Sequence, residues 1–221
     1  MRRMIVALAV AAFCAPAVVP RAAAADSATY SEREQKLKMP EIIEALGLKS
    51  GSAVADIGAG EGEYEAALSR AAGAKGRIYA EDITAGAVKE LKKTISSKRL
   101  KNTTVVLGVA EDPRLPAGSL DAALMVIAYH EVVPYQKMLE HLLAALKPGG
   151  RLVVVDMMPH KTISRPRSEQ TKNHVIAADL AEAEIRAAGF EVVSRNDQFI
   201  DRPDEESTRW MIVFRKPGGG M

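Results

Sequence analysis

The chain is poor in thiols, carries no excess of either charge, and contains no uninterrupted apolar run of membrane-spanning length. Its one cysteine, Cys14, falls in the N-terminal stretch. Everything after it lacks a thiol, which excludes cysteine nucleophiles, thiolate metal ligation and disulfides from the body of the protein. Lys and Arg total 30 against 28 Asp and Glu, and Arg2, Arg3 and Arg21 all precede residue 26. The remainder is close to neutral. With no basic excess and no Lys/Arg stripe, there is no electrostatic ground for a nucleic-acid partner.

The first 25 residues read as an export segment. Arg2 and Arg3 make a short positive start, Met4 to Val19 is almost wholly apolar but broken by Pro16, and Ala23-Ala24-Ala25 supplies small residues before Asp26. A transmembrane helix needs about 20 continuous apolar residues, so a cleaved signal over 1–25 is expected, with an uncleaved tether as the alternative. Phe13 before Cys14 argues against lipoprotein processing, and the short positive start favours the ordinary unfolded route over twin-arginine export. Any membrane contact is expected through this segment alone, placing residues 26–221 in the periplasm or outside the cell. Their composition, with 48% apolar and 26% charged residues over the whole chain, is that of one globular domain.

From residue 39 two periods alternate. Pro40 suits the first turn of a helix whose apolar face is Ile42, Ile43 and Leu46, ended by Gly47. Ala53 to Ile57 reads as a buried strand, and Tyr64, Leu68 and Ala71 then recur at helical spacing. Arg77 to Ala80, Thr103 to Gly108, Leu120 to Ala128 and Leu152 to Val155 are strand-like. Helical faces lie between them at Val88, Leu91 and Ile95 and at Met138, Leu142 and Ala145, with a last one at Ile176, Leu180, Ala183 and Ala187. Such alternation implies a parallel sheet with right-handed crossovers. Glu191 to Phe199 and Trp210 to Phe214 are also strand-like, but the polar, Pro203-containing link between them is too short for a parallel crossover. The expected fold is therefore α/β, a Rossmann-like doubly wound sheet of seven strands, mostly parallel with an antiparallel last strand.

The turn after the first strand reads Asp56-Ile57-Gly58-Ala59-Gly60-Glu61-Gly62-Glu63. Glycines at 58, 60 and 62 permit a tight strand-to-helix turn and a close backbone approach to a ligand. A dinucleotide fingerprint requires glycine where Glu63 stands, and Glu61 and Glu63 occupy the helix start where a pyrophosphate would bind. Two carboxylates there oppose a phosphate and suit an ammonium or sulfonium. Asp82 ends the second strand, where its two oxygens can accept both hydroxyls of a ribose. A helix N-cap is the competing role for Asp82, and Thr84 contends for that cap. Glu81 reads as a solvated or supporting side chain.

With these residues in hand, the chain resembles the class I S-adenosylmethionine-dependent methyltransferases, from about Pro40 to Phe214, and in particular small exported bacterial members. The turn at Val54 to Tyr64, Asp82, the stretch Leu146-Lys147-Pro148-Gly149-Gly150-Arg151-Leu152 and the reversed last strand occur in that family's order. Arg33, Leu37 and Pro40 partly match the members' pattern before the first helix, with Leu in place of a Trp. The resemblance implies S-adenosyl-L-methionine as cofactor. It places Asp56, Gly58, Ala59, Gly60 and Gly62 at the amino-acid part of that molecule and Asp82 with Ile83 at the ribose. The run Gly108 to Pro116 resembles the loop bordering the adenine, where Val109 replaces a usual acid. The adenine contact is therefore assigned to Ala110 or Glu111.

Methyl transfer from a sulfonium needs chiefly a nucleophile held close, and a base only where the acceptor arrives protonated. His130, in Ala128-Tyr129-His130-Glu131 at the carboxyl edge of the fourth strand, is the candidate base, with a packed imidazole as the alternative. Tyr129 is a candidate wall of the methyl-donor pocket or a core residue. His141 reads as a solvated side chain. His160 and His174 lie on and after the basic loop from Pro159 to Lys172, which can cap an acceptor site. No metal is expected, since no two histidines share a ligand spacing. The expected partner is a small-molecule acceptor, and the number of subunits is not legible. A non-catalytic nucleoside- or small-molecule-binding domain on the same fold stays open. A nicotinamide-dependent oxidoreductase is opposed by Glu63 and the antiparallel ending.

Overall fold

A computed structural model describes residues 30–159, 163–201 and 208–219. The expected export segment, Cys14 and His160 lie outside these residues. The elements run α1 (Glu32–Lys36), α2 (Met39–Leu46), β1 (Ala53–Ile57), α3 (Glu65–Ala72), β2 (Arg77–Asp82), α4 (Ala85–Ser97) and β3 (Thr103–Leu107). They continue with β4 (Leu120–Val126), a 3-10 turn (Tyr129–Glu131), α5 (Tyr135–Ala145), β5 (Leu146–Met157), α6 (Arg167–Lys172), α7 (Ala178–Ala187), β6 (Glu191–Ile200) and β7 (Arg209–Arg215). No helix among the described residues is long and apolar enough to cross a membrane.

One seven-stranded sheet has the order β3-β2-β1-β4-β5-β7-β6. Strands β1 to β5 pair parallel, while β7 enters antiparallel between β5 and β6. This is the mostly parallel sheet with a reversed end that the short polar link requires. The period of two sorts the strand residues onto two cores. Ala123 and Met125 of β4 and Leu152 and Val154 of β5 pack on one face with α5 and α7. Ala122 and Leu124, with Val153 and Val155, pack on the other against α2 and α3. The order turns back between β1 and β4, and a crevice opens beyond their carboxyl ends, where open α/β sheets bind ligands.

Four elements differ from expectation. β5 begins at Leu146, where that residue pairs with Leu120 across a register shift, and not at Leu152. Helix α7 starts at Ala178 and buries Ala178, Ala181, Glu184 and Ile185, leaving Ala183 and Ala187 exposed. Glu184 sits on that face because Tyr129 donates its hydroxyl to it at 2.8 Å and Arg167 pairs with it at 3.3 Å. Apolar periodicity cannot select a face that holds a carboxylate. The short polar helices α1 and α6 have no apolar period either. α1 is held by a capping box between Ser31 and Glu34.

Candidate functional site

The glycine turn is built so that side chains are shut out on two sides and a ligand is admitted on a third. Gly58 has φ +73°, and a Cβ there would stand 2.9 Å from that of Ala128. Gly62, at φ +84°, is pressed against Leu91 and Thr94 of α4. Gly60, at φ +56°, faces open space. Its N–H donates to Asp82 Oδ2 at 3.1 Å. Asp82 Oδ1 accepts from the Thr84 N–H at 2.8 Å and from its hydroxyl at 3.0 Å. Thr84 itself caps α4 by accepting from the Ala87 N–H. The cap competition thus goes to Thr84, and Asp82 stays half-buried at the mouth of the crevice.

Glu81 is only 1% exposed and lies beneath the turn. It accepts from the Gly58 N–H at 3.4 Å and packs into the space left by Gly108. The solvated reading is therefore corrected. Burial and the neighbouring Asp82 and Asp112 push Glu81 up to about 8, against the weaker pull of the Gly58 N–H. Asp56 is equally buried, and burial together with Glu65, Glu81 and Asp82 holds its carboxyl well above the usual range. Burial also raises Glu65. The turn therefore rests on three buried acids whose carboxyls are all raised above the usual range, while Asp82 stands above them at the crevice.

The crevice has a volume of about 360 Å³, within the range of small-molecule sites. Gly58, Gly60, Asp82, Ile83 and Ala110 line it, as the resemblance implies for the donor. Asp56 and Ala59 lie buried under the turn. Gly62 faces a second hollow on the far side, and Glu111 is exposed without lining the crevice. Glu63 is paired with Arg33 at 2.7 Å and does not present a free charge. Open space over Gly60, the Asp82 carboxylate beside it and a wall of Ile57, Ile83 and Met125 fit a nucleoside carrying a sulfonium.

The opposite wall follows β4. Ile127, at φ +52°, turns the chain so that Ala128, Glu131, Val132 and Val133 line the crevice. Tyr129 does not line it. This ring is wholly buried, bonded to Glu184, and covered by the Arg167 guanidinium at 5.3 Å. Arg167 also donates to the carbonyls of Tyr129 and Val132, so the basic loop clamps this turn. His130 is buried, with Nδ1 2.8 Å from Asp156 Oδ1, and its backbone N–H donates to Asp156 Oδ2 at 2.9 Å. Burial opposes protonation of this ring, but the hydrogen bond and charge of Asp156, then Glu131, outweigh it and raise its pKa. His141 is exposed on α5.

Asp156 escaped sequence reading, although a lone acid closing the apolar run Val153-Val154-Val155 is a usable signal. Glu131 and His174 were not paired at all. Their side chains meet at 3.1 Å although 43 residues separate them. Ligand spacing along the chain is therefore no guide here. Among the described residues, donor atoms of His130, Glu131 and His174 lie within 4.8 Å of one another, close enough to hold a metal ion.

Residues 54–150 match the family described as "Methyltransferase domain". The ubiquinone/menaquinone biosynthesis C-methyltransferase UbiE of Pseudomonas paraeruginosa (strain DSM 24068 / PA7) is 30% identical over 115 residues, covering 52% of this chain and 45% of that protein. The matched segment thus spans less than half of that relative. Among solved structures, a SAM-dependent methyltransferase from Aquifex aeolicus superposes with TM-score 0.70 at 24% identity, covering 84% of this chain and 93% of the other. The [4+2]-cyclase SpnF superposes with TM-score 0.67 at 18% identity, covering 83% and 82%. Residues 54–150 are thus similar to a methyltransferase domain, and the solved structures share the Rossmann-like sheet.

Proposed function

We propose that this S-adenosylmethionine-dependent domain methylates a small molecule that reaches the crevice from the β4–β5 side. One observation carries the reading: a single crevice has Gly58, Gly60, Asp82, Ile83 and Ala110 on one side and Glu131 on the other, and behind Glu131, outside the lining, stands the buried His130–Asp156 pair with Nε2 3.6 Å from the Glu131 carboxylate. S-adenosylmethionine, once bound, supplies an already activated methyl group. Asp82 is fixed by Gly60 and Thr84 so that its outer lone pairs meet the ribose hydroxyls. Gly60 admits the ligand to the backbone. The Asp82 carboxylate beside the turn opposes a phosphate and favours the sulfonium.

On the acceptor side, Asp156 commits Nδ1 of His130 and leaves Nε2 toward Glu131. For an acceptor that arrives protonated, Nε2 is the atom that meets the proton. Tyr129 supports the turn from behind and has no part in the transfer. The curated relatives are named for C-methylation in quinone biosynthesis, which favours a ring or enol carbon as the reacting atom. Export ahead of residue 26 belongs to the same proposal, with an N-terminus near Asp26 expected by mass spectrometry of the protein from its host.

The test is calorimetric titration of the purified chain with S-adenosylmethionine and S-adenosylhomocysteine, followed by methyl transfer to a panel of phenols and enols. Binding in the micromolar range, about −8 kcal/mol, with transfer to at least one acceptor is expected. Binding without transfer to any acceptor favours the non-catalytic alternative, for which the SpnF neighbour shows that this fold supports other chemistry. Saturable binding of a nicotinamide dinucleotide in place of the sulfonium overturns both.

A further inference from the structure

The acceptor wall gathers two imidazoles and a carboxylate around one point. Glu131 Oε1 lies 3.1 Å from His174 Nδ1 and 3.6 Å from His130 Nε2. Two ligands each about 2.0–2.1 Å from a tetrahedral ion stand roughly 3.3 Å apart, so both spacings to Glu131 suit such an ion, and all three donor atoms lie within 4.8 Å of one another. The two rings meet edge to face, their centroids 5.8 Å apart at 88°.

The support behind the ring is of the kind metal-binding histidines have. Asp156 is wholly buried and accepts the Nδ1–H of His130, which fixes the tautomer and leaves the Nε2 lone pair facing Glu131. Its oxygens also accept the N–H groups of His130 and Met157, at 2.9 and 2.7 Å, so the carboxylate cannot swing away. His174 holds φ +54°, a conformation uncommon outside glycine, and this turn is what carries its ring to Glu131. The Glu131 and His174 side chains are 62% and 73% exposed, leaving coordination positions open to solvent and to the crevice that Glu131 lines.

We propose that His130 Nε2, Glu131 and His174 hold a divalent transition-metal ion, and that the ion receives the acceptor through a hydroxyl or enol oxygen. Two imidazoles with one carboxylate suit Zn²⁺, Fe²⁺ or Co²⁺ and not Mg²⁺ or Ca²⁺, which prefer all-oxygen shells. This assignment rests on the methyl-transfer reading for what the ion does, but not for its binding. In the loaded protein Nε2 carries the ion where it would otherwise meet a proton. The acceptor's O–H ionises on the ion and its proton leaves to water. The electron pair so freed, on oxygen or on the conjugated carbon, forms the new bond to the methyl group. The methyl–sulfur bond breaks with its pair going to sulfur, and the positive sulfonium and the negative acceptor both end neutral.

The experiment titrates chelator-stripped protein with Co²⁺ and Zn²⁺ in the absence of methyl donor. It reads the visible absorption of Co²⁺, its displacement by Zn²⁺, and calorimetric affinity. One equivalent is expected to bind. His174→Ala, which removes an exposed side chain and should not disturb the fold, is expected to weaken Zn²⁺ by about tenfold or more. Asp156→Asn should weaken it by about 10- to 100-fold. His141→Ala, an exposed histidine on α5, should change nothing. No Co²⁺ spectrum, or equal affinity in the wild type and His174→Ala, overturns the proposal. S-adenosylmethionine affinity measured on the same samples separates this failure from that of the methyl-transfer reading, because ion binding is scored without donor and donor binding without ion.

Discussion

The two walls of the crevice are made in opposite ways. The donor wall comes mainly from the two adjacent strand ends of β1 and β2, where main-chain N–H groups and carboxylates hold one another. The acceptor side rests on residues 130, 131, 156 and 174, of which Glu131 alone lines the crevice; they share no local pattern and are brought together by the sheet and by the clamp of Arg167 on the 3-10 turn. A wall made of backbone is set by the position of its glycines. One made of side chains is set by tertiary packing, so it can diverge while the donor site stays. The Methyltransferase domain match, confined to residues 54–150, spans the donor wall and stops before Asp156 and His174.

If the walls divide the work, variants should separate turnover from donor affinity. His130→Ala should give the largest effect, a fall in turnover of about 100-fold or more, with S-adenosylmethionine affinity within about twofold of wild type. Because the substitution leaves Asp156 buried without its ring partner, the melting temperature must be followed as well. His130→Gln, which keeps a donor near Asp156, should recover stability without recovering turnover. Equal losses of affinity and turnover would merge the two walls into one site.

Asp82→Ala should do the reverse. Losing a charged hydrogen-bond partner costs about 1 to 3 kcal/mol, so donor affinity should fall by about 5- to 150-fold. Calorimetry without acceptor measures this directly. Unchanged affinity would move the ribose elsewhere and remove the donor wall as drawn.

A subtler expectation concerns the acids beneath the glycine turn. Glu81 has its folded pKa raised to about 8, mainly by burial, against roughly 4.3 when unfolded. Between these values the unfolded chain has lost the proton and the folded chain keeps it. Stability therefore falls as pH rises from about 4.5 to 8 and levels off above. Glu81→Gln removes this dependence and should stabilise the protein at pH 9 relative to pH 5 by about 1 to 3 kcal/mol more than wild type. Denaturant unfolding at both pH values checks it, and an unchanged pH slope would mean that Glu81 ionises freely in the fold.

The same contrast explains what was legible beforehand. Gly58, Gly60, Asp82 and Ile83, read as a site from a glycine turn after one strand and an acid at the end of the next, about twenty residues on, do line one crevice, because adjacent parallel strands bring those ends together. The reversed β7 was found because the link after β6 is too short and too polar for a crossover. His130 stands after the fourth strand as read, but buried against Asp156 and outside the crevice lining, and Tyr129 beside it turned into the core, since nothing local reveals that its hydroxyl meets Glu184 across 55 residues. Asp56 illustrates the converse: its place in the motif suggested ligand contact, yet β1 turns its side chain inward, toward Glu65 and Glu81. Periodicity decides which residues share a face, not which buried carboxylate will find a partner.

The smallest expected effect tests the edge of the donor wall. In the sequence Glu61 and Glu63 are two carboxylates at the start of a helix, available to a cationic ligand. In the structure Arg33 holds Glu63 at 2.7 Å, with 78% of the Arg33 side chain exposed. An exposed pair of this kind contributes about 0 to 1 kcal/mol and is screened by salt. Arg33→Ala should lower stability by no more than that. It also frees one negative charge near the turn, so affinity for the sulfonium should rise by at most about twofold at low ionic strength and return to the wild-type value in 0.5 M salt, roughly where screening shortens to a few ångströms. A loss of tenfold or more would show that Arg33 leaves Glu63 to bind the carboxylate of the donor's amino-acid end. The donor wall would then extend to α1, and its recognition would no longer be a property of the glycine turn and Asp82 alone.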